Sequence, residues 1–301
     1  MPTLNDVRYL TFTRETKMFI RALLLILIIS PIFKLQAHHY DGPYRFFVYE
    51  PFKRKEAKVY LPSDYDPKKS YPLVFSLHGD MSNPIFQNGF FPFHKMVTDK
   101  QFVLVVPYAK KDIKSIRAWN YGDFDDNYDD KVDDVYYISK LIDIVSATYT
   151  IDPKKIIMAG HSGGGFMTYK LACEIPNRIS SIVSFAGAGF KNLDDCNKKE
   201  PVSTLQVHGT TDSFVPFEGT EDYSSALNSV KNQASFAKCD LENPEIKSGA
   251  IFHPRDKSTI YNYNNCKDKK NYQLWLTQDL GHVYISDLDF LERVLDWSFL
   301  Q

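Results

Sequence analysis

Gly160-His161-Ser162-Gly163-Gly164 sets a serine between glycines at the junction of two different hydrophobic patterns. Ahead of it, Lys155-Ile156-Ile157-Met158-Ala159 reads as a short buried strand. Behind it, Phe166 through Cys173 reads as a helix. Gly-x-Ser-x-Gly in that setting is a nucleophile elbow, a turn sharp enough to hold a serine hydroxyl exposed at a helix N-terminus. Glycines on either side remove Cβ atoms that the turn has no room for. The bland alternative is a glycine-rich strand-to-helix turn without chemistry.

A serine hydroxyl is a weak nucleophile at neutral pH. It needs a histidine to take its proton and a carboxylate to orient that histidine. In this arrangement the acid and then the base follow the serine along the chain. Val202 through Val207 is strand-like and ends in His208-Gly209-Thr210-Thr211-Asp212, which puts Asp212 on the loop at that strand's carboxyl end. Tyr272 through Thr277 is a further strand, followed by Gln278-Asp279-Leu280-Gly281-His282. Of the eight histidines, His253 and His282 lie beyond Asp212. No strand immediately precedes His253, so His282 is the expected base. Asp279, three residues before His282, is the poorer orienting acid, and Asp212 is otherwise a turn residue. His78 and His208 each precede a glycine at a strand end and read as structural hydrogen-bonding groups.

Ester or amide chemistry also requires two N–H groups aimed at the oxyanion. Gly163, directly after the nucleophile, is expected to give one. The other is assigned to the amide of Asp80, after the strand-like Leu73-Val74-Phe75-Ser76-Leu77-His78-Gly79. An aspartate there must keep its carboxylate away from the developing negative charge. A simple strand-end turn is the competing reading of that segment.

The elements that must position these residues follow from the apolar patterning. Residues 44–50 and 56–61 read as an opening antiparallel pair, and 73–77, 102–107 and 181–186 as further strands. A helix is expected over 133–149, with Asp133 as its cap. A closing amphipathic helix offers Leu288, Phe290, Leu291, Val294, Leu295 and Trp297 to the core. The fold expected is α/β, with a mostly parallel central sheet and helices on both faces. Its carboxyl-end loops gather at one edge, where three distant residues can meet. Residues 38–301 are read as one domain, with polar residues 220–265 as an insertion or lid flanking the site.

These residues together resemble the secreted polyhydroxybutyrate-depolymerase-like esterases, an α/β-hydrolase group close to feruloyl and acetylxylan esterases. The resemblance rests, in order, on Leu77-His78-Gly79, Trp119-Asn120, Val132-Asp133-Asp134-Val135 and Asp152-Pro153-Lys154-Lys155. It continues through Gly160 to Met167, Leu171-Ala172-Cys173-Glu174, Cys196, His208 to Asp212, Val215 to Gly219 and Gly281-His282. It spans roughly residues 42 to 300. It implies carboxylic-ester hydrolysis through an acyl-serine, without a metal or organic cofactor. Two departures stand out: Val283-Tyr284-Ile285 follows His282 where members often carry Trp-Pro, and Ala118 stands where many have cysteine. Neither touches the triad, though both weaken the link to a polymer substrate.

The 301 residues are 44% hydrophobic and 24% charged, with net charge −1, which suits one large α/β domain. Near-neutral charge argues against nucleic acid and against electrostatic binding to acidic membranes. Met18-Phe19-Ile20-Arg21 followed by an apolar run from Ala22 to Phe33, then Leu35-Gln36-Ala37, reads as an export signal over 1–37. Met18 is a candidate start. Pro31 and Lys34 interrupt the run too soon for a good membrane span, so no stable insertion is expected after cleavage. A secreted or periplasmic protein follows, which makes Cys173, Cys196, Cys239 and Cys266 candidates for disulfides. The order of elements favours Cys173 with Cys196 and Cys239 with Cys266, although four cysteines permit three pairings.

Two stretches invite over-reading. Asp123 through Asp130, with Asp134 at the twelfth position, superficially resembles a calcium loop, but Tyr128 stands where an EF-hand needs glycine. A solvated acidic loop is expected there, and no metal. Trp119 and Asn120 are candidate substrate contacts, with a packed core tryptophan as the alternative. Three functions are carried forward. The first is a secreted serine carboxylesterase acting on small or polymer-linked esters of plant-wall or hydroxyalkanoate type. The second is a serine peptidase of the prolyl-oligopeptidase kind, a group that usually carries a propeller for which this chain has no room. The third is a non-catalytic binding protein of the same fold, which would have no need of all three triad residues.

Overall fold

The computed structural model describes residues 44–46, 54–111, 116–122, 132–252 and 256–301. The expected export signal, the candidate start at Met18, the acidic loop 123–130 and His253 lie outside them. Among the described residues, ten strands form one sheet. In chain order they are β1 (Tyr44–Phe46), β2 (Ala57–Tyr60), β3 (Tyr71–Leu77), β4 (Val103–Val106), β5 (Ile151–His161), β6 (Ser181–Phe185), β7 (Ser203–Gly209), β8 (Glu245–Gly249), β9 (Ser258–Tyr263) and β10 (Tyr272–Thr277). Their order across the sheet is β1-β2-β4-β3-β5-β6-β7-β10-β9-β8. The six central strands from β4 to β10 pair in parallel. Antiparallel β2 and β1 extend one side, and β9 and β8 the other.

The central strands are apolar on both faces because helices cover both. In β3, Leu73 and Phe75 face one buried layer, shared with Tyr137, Ile138, Leu141 and Met167. Val74 faces the other, shared with Val183, Val207, Phe290, Leu291 and Val294. Each fully buried Leu, Val or Phe side chain adds roughly 1.5–3 kcal/mol to stability, so the two layers fix the strand register and with it the sheet edge that carries the loops.

Six α-helices are described: α1 (Pro84–Phe90), α2 (Val97–Lys100), α3 (Asp134–Thr148), α4 (Gly163–Glu174), α5 (Ala226–Phe236) and α6 (Leu288–Phe299). The side chain of Asp133 caps α3 by accepting from Tyr136 N at 2.7 Å, as its position before the helix requires. Asp287 caps α6 in the same way, accepting from Phe290 N at 2.7 Å. Helix α4 is buried along nearly its whole length, from Gly163 to Cys173. Disulfides join Cys173 to Cys196 and Cys239 to Cys266, the two pairs that the order of elements favours.

Residues 220–265, read from sequence as an insertion or lid, supply α5, β8 and β9, and the two strands widen the sheet beyond β10. No helix among the described residues is long and apolar enough to cross a membrane.

Candidate active site

The three residues expected to form the relay, and Asp80, stand on loops at the carboxyl ends of the parallel strands. Ser162 follows β5, Asp80 follows β3, Asp212 follows β7 and His282 follows β10. The turn at Ser162 is tight enough to force the serine to φ 54° and ψ −122°. A non-glycine residue held there costs about 1–3 kcal/mol, which its surroundings must absorb. Two backbone bonds fix it: Ser162 N donates to Phe185 O on β6 at 2.9 Å, and its own carbonyl accepts from Phe166 N at 3.0 Å. The glycine at position 160 answers to the same constraint. A Cβ added to Gly160 would lie 2.2 Å from Gly164 O, so helix α4 could not start so close to the strand.

The three residues expected to act together do meet. His282 Nε2 lies 2.9 Å from Ser162 Oγ, and His282 Nδ1 lies 2.8 Å from Asp212 Oδ2. With a carboxylate facing Nδ1, that nitrogen carries the proton and donates, leaving Nε2 to accept from the serine hydroxyl. The second oxygen of Asp212 accepts from Phe214 N at 3.0 Å and Val215 N at 2.9 Å. Burial pushes the Asp212 carboxyl up, but the hydrogen bonds from His282 and Val215 N and the neighbouring imidazoles outweigh it and hold the pKa below its usual value. The acid therefore stays ionised beside the base.

Two further histidines, which the sequence marked only as neighbours of glycine or as an unassigned residue of the elbow, brace the site. His161 is buried and donates from Nε2 to the backbone carbonyl of His282 at 2.8 Å. Burial pushes its pKa down to about 4, so it is neutral at pH 7. Its ring lies 5.0 Å from that of His282, whose ring also packs 5.3 Å from Phe214. His208 is fully buried and donates from Nε2 to Val215 O at 2.8 Å, while Nδ1 accepts from Gln206 Nε2 at 3.0 Å. Gln206 in turn accepts from the Tyr169 hydroxyl at 2.9 Å. This chain of bonds ties the Asp212 loop to helix α4. His78 has the structural role expected of it: Nε2 accepts from Ala109 N at 3.0 Å in a fully buried setting.

Gly163 and Asp80, the two expected oxyanion donors, both line the cleft beside Ser162. The Asp80 carboxylate lies against the elbow at Gly163, not turned away from it as that role was expected to require. A Cβ on Gly163 would come within 2.2 Å of Asp80 Oδ1, so a larger residue there would have to displace the Asp80 side chain. Asp80 Oδ2 accepts from the Tyr121 hydroxyl at 2.8 Å.

The cleft holds about 460 Å³ and is walled by aromatic side chains. Tyr121 stacks on Phe166 at 5.1 Å, and Tyr223 meets the edge of Phe166 at 5.1 Å. Trp119 and Asn120 do not reach it, which corrects the substrate contacts expected of them. Trp119 is fully buried, and its Nε1 donates to His78 O at 2.8 Å. Asn120 accepts no such role either: its backbone N donates to Asp134 Oδ2 at 2.6 Å and its side chain to Val132 O at 2.8 Å. Asp134, wholly buried, is also paired with Arg54. The loop thus spends Trp119 and Asn120 on anchoring and presents the next residue, Tyr121, to the cleft. No group of three or more potential metal ligands occurs among the described residues.

A parallel-centred sheet, helices on both faces and a Ser-His-Asp relay at its carboxyl edge define an α/β-hydrolase. A family model described as "Putative esterase" matches residues 53–222, more than half of the chain, and the protein belongs to that Esterase family. It is 27% identical over 248 residues to the bifunctional acetylxylan esterase/xylanase XynS20E of Neocallimastix patriciarum, covering 81% of this chain and 33% of that protein. It is 26% identical over 170 residues to the probable feruloyl esterase C of Aspergillus niger, covering 55% of this chain and 57% of that protein. The chain thus spans about a third of the first relative and a little over half of the second. Among solved structures, the acetyl xylan esterase from Aspergillus awamori superposes with a TM-score of 0.57 at 12% identity, covering 82% of this chain and 94% of that one. That likeness is one of fold.

Proposed function

We propose that this protein is an exported carboxylesterase working through an acyl-serine on Ser162, with a single catalytic domain over residues 38–301. The observation that carries the reading is the continuous relay from Ser162 Oγ through His282 to Asp212, at 2.9 and 2.8 Å. Ser162 Oγ attacks the ester carbonyl carbon while His282 Nε2 takes its proton. Asp212 keeps Nδ1 protonated and stabilises the imidazolium that forms. The amides of Gly163 and Asp80 receive the oxyanion, which requires the Asp80 carboxylate to turn away from its place beside Gly163. Collapse of the tetrahedral species breaks the bond to the alcohol, which leaves with the proton from His282. Water, deprotonated by the same histidine, then releases the acid and restores the serine.

The stacked pair Tyr121 and Phe166 with Tyr223 supports a flat aromatic or short acyl group in the cleft. Feruloyl and acetyl esters of plant-wall polysaccharide fit that wall, in keeping with the names of the two curated relatives, and so do short hydroxyalkanoate esters. No cofactor takes part in this mechanism. Two disulfides suit export to an oxidising compartment. The test is hydrolysis of p-nitrophenyl acetate, butyrate and octanoate, and of methyl ferulate, with Ser162→Ala in parallel. Hydrolysis by the natural chain and none by the variant is expected. Equal activity in both would remove Ser162 as the nucleophile.

A further inference from the structure

Next to the catalytic cleft runs a second groove of about 450 Å³ that the ester chemistry does not use. Three of its lining side chains are cationic, Lys55, Lys111 and Arg117, and no acidic residue is among its described lining. None of the three has an ion pair with a described residue. Arg117 and Lys111 face one another across an antiparallel bridge. The ring of Tyr108 gathers the cations, with the Arg117 guanidinium 4.9 Å and the Lys55 ammonium 5.5 Å from its centroid. Arg117 is further fixed by donating to Ala109 O at 2.6 Å.

Groove and cleft share a wall. Met81 and Ser82 line both. Met81 N donates to Arg117 O at 2.7 Å, so the segment carrying Arg117 is bonded to the residue directly after Asp80. Successive Cα atoms are about 3.8 Å apart, so the shared wall begins within roughly 8 Å of the amide assigned to the oxyanion. A substrate whose ester lies at Ser162 can therefore extend over Met81 into a pocket whose three cations have no acidic partner among the described residues. Cations gathered in a concave site concentrate and favour an anion.

We propose that this groove is a subsite for a carboxylate carried on the ester substrate, several bonds from the scissile carbonyl. The inference rests on the ester-hydrolase reading of Ser162. Two sources supply that chemistry: a free carboxyl end on the acyl side, as in an oligomeric hydroxy acid, or an acidic sugar on the alcohol side, as in a uronic-acid-substituted glycan.

The experiment compares matched neutral and anionic substrates on the full chain. The acyl arm sets p-nitrophenyl butyrate against the mono-p-nitrophenyl esters of glutaric, adipic and suberic acids. The alcohol arm sets acetylated neutral xylo-oligosaccharides against acetylated oligosaccharides bearing glucuronic acid. Both are repeated with Lys55→Glu/Lys111→Glu, a pair of exposed positions, with thermal unfolding checking that the variant folds. In one arm the anionic substrate is expected to have the lower KM. The charge reversal should shift the anionic-to-neutral ratio of kcat/KM by roughly tenfold, the effect of two or three part-exposed ion pairs. Added salt should erode the same preference. An unchanged ratio in both arms, with neutral esters still hydrolysed, would overturn the subsite. Failure of the natural chain on every substrate would instead refute the esterase reading, and the subsite with it.

Discussion

Asp212→Asn is the substitution whose consequence the geometry fixes most closely. One carboxylate oxygen accepts from two loop amides, Phe214 N and Val215 N, and the other faces His282 Nδ1. An asparagine must leave its carbonyl oxygen with the two donors, so its NH₂ is turned towards His282. Nδ1 then has to accept, and the proton moves to Nε2, facing Ser162 Oγ. In that tautomer the histidine donates to the serine and cannot act as its base. Turning the amide over would break two neutral hydrogen bonds, about 1 kcal/mol each. Loss of the carboxylate's bond to the imidazolium removes about 2–3 kcal/mol more. The sum, about 4–5 kcal/mol, corresponds to a fall in kcat of roughly a thousandfold or somewhat more.

Asp212→Ala makes a useful contrast. It leaves the tautomer free and removes only the charge effect, so kcat should fall roughly a hundredfold. It also strips the loop amides of their acceptor, so its melting temperature should fall further than that of the asparagine variant. The assay is kcat for p-nitrophenyl butyrate, with thermal unfolding of each variant alongside. A well-folded Asp212→Asn that keeps more than about a tenth of the activity would refute this reasoning. So would an alanine variant that is the more damaged of the two in kcat.

His161→Phe keeps the ring packing but leaves the His282 carbonyl without its donor. kcat/KM should fall by roughly tenfold to a hundredfold, and retention of full activity would remove His161 from the support of the base. His78 and His161 are both held near pKa 4 by burial, below the unfolded value of 6.5. The unfolded chain therefore binds protons first as pH falls from about 6.5 to 4, and stability is lost across that window, about 3 kcal/mol per histidine. Asp212, also depressed, acts in the same direction at lower pH. Urea unfolding at pH 7 and 4.5 checks this, and equal stability at both would contradict it. Gly160→Ala should fold poorly because its Cβ would strike Gly164 O, whereas Gly89→Ala, with nothing within 4 Å, should raise stability by about 0.5–1 kcal/mol. Soluble yield and melting temperature separate the two.

The placement of Ser162, Asp212 and His282 at one edge of the sheet was legible because each follows, within five residues, a strand with a clear apolar run. β5, β7 and β10 are buried in the sheet and therefore read as strands from composition alone. The edge of the sheet was not legible. β8 is exposed at every position, so it carries no apolar alternation, and 220–265 reads as irregular polar chain. Helix α1 was equally silent, since its start is set by the Asn83 cap, which accepts from Ile85 N at 2.9 Å, and only Pro84 and Gln87 are buried. Trp119 shows a different limit. Spacing put it near the site, but which way a side chain on that loop turns depends on Asp134, whose burial and partner Arg54 come from distant chain. The bracing roles of His161 and His208 are likewise tertiary: each bonds a backbone carbonyl brought close by folding, one of them 121 residues away.

The most direct test of Ser162 as an activated nucleophile is labelling of the folded chain with a fluorophosphonate, followed by intact-mass and peptide mapping. One adduct per chain is expected, on the peptide containing Ser162, with loss of p-nitrophenyl butyrate hydrolysis in step and no adduct in Ser162→Ala. Hydrolysis that persists in a chain fully labelled at Ser162, or an adduct that survives in Ser162→Ala, would contradict it.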